Sequence, residues 1–192
     1  MTVVSIGLDE AAIRDALETL SRIENGFVRA YARALNKTAA GTRSDMVKLA
    51  REDYKYKAAA VRARTSVYKA TWSDLQSSVK STGGGGLLSD FAGTRQTKTG
   101  LSVNIKKSTG LQRIRHAFLN KARSTGKVIS MWRKRMDDGR LSARYPVEAL
   151  YGPHPELIYN TPENWEKLSS QASDRLSAVF ASEVDGVLRQ FG

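Results

Sequence analysis

The chain has no cysteine. That excludes disulfides and thiolate metal sites, and fits synthesis in a reducing cytoplasm. Histidine is almost absent too. His116 lies among Arg113, Arg115 and Phe118, and His154 sits between two prolines. Neither has a second histidine or an acid at ligand spacing, so no metal site is expected. No apolar run approaches the roughly 18–20 residues needed to cross a bilayer, and no membrane partner is expected. The first ten residues carry no basic region and no small-residue cleavage site, so no secretory leader is expected. Acids are also under-represented: 19 Asp and Glu face 31 Lys and Arg, for a net charge of +12. Such an excess suits contact with nucleic acid or with an acidic protein surface, and charge alone does not choose between them.

What is present describes a globular chain. Its 192 residues, 41% hydrophobic and 26% charged, suffice for a single domain with a real core. Asp9 can cap a helix whose apolar face is Ile13, Leu17, Leu20 and Ile23. After Asn25-Gly26 the pattern resumes through Phe27, Tyr31, Leu35, Thr38, Thr42, Met46 and Leu49. This gives two helices, or one kinked helix, ending near Arg51-Glu52-Asp53. The second part is rich in alanine and carries Gly41, so close packing against another helix must supply its stability. A short basic helix is expected over Ala58–Tyr68, with Ala58, Val61, Thr65 and Tyr68 on one side.

From Thr71 the period changes to two, which predicts a strand through Lys80. Ser81–Gly86 ends it in a flexible glycine loop. No Lys-Ser/Thr follows those glycines, so they do not form a nucleotide-phosphate loop. Leu87–Phe91 is a short apolar segment. Leu101, Val103 and Ile105 alternate with polar residues as a strand, Arg113–Leu119 reads equally as helix or strand, and Lys127–Arg135 reads as another strand. Asp137-Asp138-Gly139 is a hairpin turn. Three prolines (Pro146, Pro153 and Pro155) then make the stretch to Leu157 an ordered connector rather than a regular helix. Thr161-Pro162-Glu163 starts a C-terminal helix, and its apolar face runs from Trp165 to Phe191. The expected fold is α+β. A small mixed or antiparallel sheet (about 71–136) is packed by the long N-terminal helices and a C-terminal amphipathic helix. By region this is 1–53 helical, 54–160 a basic α+β core with its connector at 141–160, and 161–192 the last helix, one domain overall.

Catalytic patterns are missing. There is no Gly-x-Ser-x-Gly elbow, and Asp45, Glu52 and Asp53 have no nuclease-like spacing with a lysine. Neither an enzyme nor a cofactor is expected. The basic residues form a candidate contact surface, with Arg113, Arg115, Lys127, Arg133, Lys134, Arg135, Arg140 and Arg144 at its centre. They could meet DNA phosphates without base specificity, or the acidic rims of neighbouring subunits.

The string Arg144-Tyr145-Pro146-Val147-Glu148-Ala149-Leu150-Tyr151-Gly152-Pro153 resembles the Leu-Tyr-Gly-Pro ending of the minor tail protein Z family of lambda-like phages and prophages. The order of elements from about 27 to 160 follows that family as well. Three features go beyond the pattern: the Asp9–Ile23 helix, the Gly83–Gly86 run and the length of the last helix. The resemblance implies a structural virion protein of a tailed phage, made in the bacterial host cytoplasm. It would be a tail-completion or neck protein forming a homo-oligomeric ring at the head–tail junction. The implied neighbours are the tail tube or terminator and the head-completion or connector proteins, with genomic DNA passing through the channel. Tyr145, Pro146, Leu150, Tyr151, Gly152, Pro153 and Trp165 would form the subunit interface. The rival readings are a sequence-independent DNA-binding or packaging accessory protein and, third, a morphogenesis chaperone that leaves the virion.

Overall fold

The computed structural model describes residues 2–3, 7–123, 125–133 and 147–191. Five helices occur among them: α1 (Glu10–Thr19), α2 (Gly26–Asp53), α3 (Ala58–Ala63), α4 (Pro155–Tyr159) and α5 (Pro162–Phe191). The first two are separate helices. Asn25 adopts φ 57°, and the Gly26 amide donates to the Ile23 carbonyl at 2.9 Å, which reverses the chain between them. Asparagine tolerates that left-handed conformation better than most residues. The buried face of α1 is Ala16 followed by Leu20, not the expected Leu17, which is 50% exposed.

The frame of the molecule is the antiparallel pair α2–α5. Lys37 pairs with Glu183, Asp45 with Arg175 (2.6 Å) and Glu52 with Lys167 (3.2 Å), so residue numbers fall on α5 as they rise on α2. The alanine-rich stripe of α2 makes this close approach possible. Ala30, Ala34, Ala39 and Ala50 are all buried, facing Leu168, Leu176, Phe180 and Val187 of α5. Burying each of those larger side chains is worth about 1.5–3 kcal/mol, which offsets the poor intrinsic helicity of Thr38, Gly41 and Thr42. Gly41 has a specific use. A Cβ there would lie 2.7 Å from Cδ and Nη1 of Arg175, so the missing side chain seats the arginine that holds Asp45.

Among the described residues the strands are short and form four antiparallel sheets. In chain order they are β1 (Thr2–Val3), β2 (Thr65–Tyr68), β3 (Ser78–Ser81), β4 (Gly86–Leu87), β5 (Arg95–Thr97) and β6 (Gly100–Val103). Then follow β7 (Gln112–Arg115), β8 (Ala117–Lys121), β9 (Val128–Arg133), β10 (Val147–Ala149) and β11 (Tyr151–Gly152). They pair as β1-β3-β2, β5-β6-β7, β8-β9-β10 and β4-β11. The fold is α+β.

Several elements differ from the sequence expectation for identifiable reasons. The basic helix stops at Ala63, because Thr65-Ser66-Val67-Tyr68 has strand preference and pairs with β3. The strand expected from Thr71 begins only at Ser78. Before it the Asp74 amide donates to Thr71 Oγ1 (3.1 Å) and the Thr71 amide to the Asp74 carbonyl (2.8 Å), closing a turn that leaves Trp72 63% exposed. The ambiguous Arg113–Leu119 is two strands, β7 and β8, hinged at His116 with φ 61°. Pro155 opens α4 at its first turn, where a proline costs no hydrogen bond, so the end of the connector is briefly helical. The Asp138-Gly139 turn lies outside the described residues.

Two core regions lie along the α2–α5 frame. One, around α1, includes Leu20, Leu35, Phe180 and Val187. The other, at the far end of α2, gathers Met46, Tyr56, Val61, Phe91, Tyr159 and Leu168. A smaller third cluster under the sheets contains Leu88, Leu101, Val103 and Ala117.

Candidate functional site

The Leu150-Tyr151-Gly152-Pro153 motif is anchored inside its own chain. β11 pairs with β4, setting Tyr151 opposite Leu87 and Gly152 opposite Gly86. Each glycine there faces something that leaves no room for a side chain. A Cβ on Gly85 would lie 2.6 Å from Cδ1 of Tyr151, one on Gly86 2.6 Å from the Pro153 carbonyl, and one on Gly152 2.7 Å from Cε2 of Phe91. The Phe91 ring stacks on Tyr56 at 4.3 Å, and the Tyr56 hydroxyl donates to the Pro153 carbonyl. Burial pushes the Tyr56 phenol well above its ordinary pKa, which keeps that donor protonated. The glycine run read as a loose loop is therefore half structural.

Arg64 closes the same region from α3. Its Nη1 donates to the Gly84 carbonyl (3.0 Å) and its Nη2 to the Gly85 carbonyl (3.3 Å) and to Asp90 Oδ2 (2.9 Å). On the other side, His154 caps α4, accepting from the Glu156 amide through Nδ1 at 3.1 Å. Its pKa is held below the ordinary value, first by burial and then by the Arg64 guanidinium. Tyr159, fully buried, donates to the Met46 carbonyl at 3.1 Å and so ties α4 to α2.

Of the expected interface residues, Leu150, Gly152, Pro153 and Trp165 are half-buried, while Tyr151 is 61% exposed and Leu157 beside them 66% exposed. Tyr145 and Pro146 lie outside the described residues. The motif thus offers an outward rim of Tyr151 and Leu157 over an inward-facing backbone.

The basic residues separate into distinct places. Arg113 and Arg115 stand on β7, exposed, and line an open cleft of about 530 Å³ with Lys98, Thr99, Gly100 and His116. Registry puts Arg95 and Arg113 on either side of Ser102, and Thr97 and Arg115 on either side of Gly100. These cations share one face, while Leu101 and Ile114 turn to the core. Lys127 instead rims a second groove, of about 770 Å³, between α3 and the β8–β9 hairpin. Arg133 lies over the Phe118 ring at 6.0 Å. Lys134, Arg135, Arg140 and Arg144 lie outside the described residues. Lys98 and Arg95 are not among the basic residues expected from sequence to form the contact surface. Their signal was a short β5–β6 hairpin closing on Gly100, where a Cβ would collide with the Ile114 carbonyl.

The sequence pattern of prophage minor tail protein Z matches residues 7–191. The chain belongs to that family. It is a structural protein of a phage tail. No curated protein and no solved structure matches it significantly. The family match reaches well beyond 27–160 and takes in the whole of α1 and of α5. Those two helices are thus part of the minor tail protein Z pattern, not additions to it. Among the described residues, no helix is long and apolar enough to cross a membrane.

Proposed function

We propose that this minor tail protein Z acts in tail completion at the head–tail junction, as a ring of identical copies around the channel. Its work is assembly without a catalytic step. It would bridge the tail tube or terminator to the head-completion or connector proteins while DNA passes through. The observation that carries this reading is the charge of the β-region. Between Lys55 and Arg133 the only acids are Asp74 and Asp90, and Asp90 is already held by Arg64. A surface with so many uncompensated cations, on a rigid two-helix frame, suits a part that guides acidic neighbours or a phosphate backbone into place.

Electron microscopy of purified tails carrying a tagged copy tests this directly. The label is expected at the head-proximal end, and tails made without the protein should fail to join heads. Label along the tube or at the distal tip would refute the junction assignment. A second reading, sequence-independent DNA binding by a free monomer or dimer, draws on the same cationic face. It requires binding to random DNA whose logarithm falls linearly with the logarithm of salt concentration.

A further inference from the structure

Several acids on or near the α2–α5 frame are spoken for within the chain. Asp45, Glu52, Asp90 and Glu183 each pair with a lysine or arginine. Helix α1 carries a group of acids that are not so paired. Glu10, Asp15, Glu18 and, just beyond it, Glu24 are exposed, and none has an ion-pair partner among the described residues. Arg14 and Arg22 offset them only in part, leaving this segment acidic in an otherwise basic protein. Leu17 stands among them, 50% exposed.

The opposite condition holds at the other end of the frame. Arg95, Lys98, Arg113 and Arg115 are exposed and likewise have no carboxylate partner among the described residues. No acid lines their cleft. Leu111, 62% exposed, stands immediately before β7, two positions from Arg113.

These surfaces cannot meet within one molecule. α1 packs on the first half of α2, while the connection from β6 to β7 joins the last turn of α2 through the Lys107 amide on the Asp53 carbonyl (2.9 Å). The 28 residues of α2 extend about 42 Å at 1.5 Å per residue. We infer that the acidic outer face of α1 in one copy docks on the cationic β5–β7 face of the next. This rests on the ring reading above and supplies its contact. It joins unlike surfaces, so it is heterologous, and such contacts propagate until they close on themselves. Opposite charges steer the encounter, and the two exposed leucines give it a small apolar centre.

The test is charge exchange in the full-length protein, with mass in solution measured by light scattering at low and high salt. Wild type is expected to form a multi-copy species at low salt that dissociates at high salt. Asp15→Lys with Glu18→Lys should leave single copies, as should Arg113→Glu with Arg115→Glu. Mixing the two double variants should restore assembly, because each then presents what the other lacks. Asp174→Lys with Asp185→Lys, the same charge change on the exposed side of α5, should leave assembly intact. Circular dichroism melts confirm that each variant folds. Wild type that stays a single copy at low salt, variants that still assemble, or a mixture that does not, each overturns the contact. If the double variants still label the head-proximal end of tails in a ring, the junction reading survives and only this contact fails. Loss of Arg113/Arg115 function with α1 indifferent would assign the cationic face to DNA or another protein.

Discussion

Replacing Gly152 by alanine asks what the Leu-Tyr-Gly-Pro motif is for. The new methyl would lie 2.7 Å from Cε2 and 3.0 Å from Cζ of Phe91. Phe91 is fully buried and stacked on Tyr56, whose hydroxyl is bound to Pro153, one residue from the substitution. The ring has nowhere to retreat, and β11 is pinned to β4 along its other edge. Overpacking of this kind costs about 1–3 kcal/mol. In a chain of this size each kcal/mol moves Tm by about 2–4 °C, so the variant should melt roughly 2–12 °C lower by calorimetry. Phe91→Leu in the same background should recover part of the loss, with a coupling of about 0.5–3 kcal/mol in a double-mutant cycle. A melt within about 0.5 kcal/mol of wild type, the range of surface substitutions, would refute the reasoning. The motif's glycine would then have to serve a partner instead of its own chain.

Other predictions follow from single contacts. Gly186→Ala, in α5 with nothing within 4 Å of the new Cβ, should stabilise by about 0.5–1 kcal/mol in chemical denaturation, because an interior helical glycine carries that penalty. Tyr159→Phe removes the donor to the Met46 carbonyl and should cost about 1 kcal/mol by the same measurement. His154 has its pKa depressed below the ordinary 6.5, so the unfolded chain takes up the proton first. Stability should therefore be complete above that pH and decline as pH falls through it. His154→Asn keeps a capping acceptor and should flatten this part of the pH–stability profile; an unchanged slope would place the titration elsewhere.

The elements with strong periodicity were legible in the sequence. α5 shows its start in Thr161-Pro162-Glu163 and its face every three or four residues, and α2 ends where its pattern does. What could not be read was tertiary. Leu17 occupies a helical apolar position on α1 but lost its place in the core to Ala16, because small residues let α1 lie closer. The alternation after Thr71 looked like a strand until Thr71 and Asp74 closed a turn on each other. Ser102 and Asn104, polar and alternating, suggested a half-exposed strand, yet both are buried. The glycine run gave no hint of Tyr151 and Pro153, which approach it from more than sixty positions away. At the basic surface, sequence counted charges well but could not tell that Arg113 and Lys127 belong to different clefts. That distinction comes from β7 and β8 parting at His116.

The pairing of α2 with α5 also has a consequence for how the protein is made. The alanine stripe of α2 leaves the ribosome well before its covering surface, the thirty residues of α5. β4 waits similarly for β11. Contacts so distant in sequence form slowly, and until they form the apolar stripe is open to misassociation. Joining therefore cannot begin from a chain in which α5 is still unmade, because the frame that would carry any joining surface closes only on α5. Synthesis and docking of α5 become a checkpoint for the protein's entry into the tail.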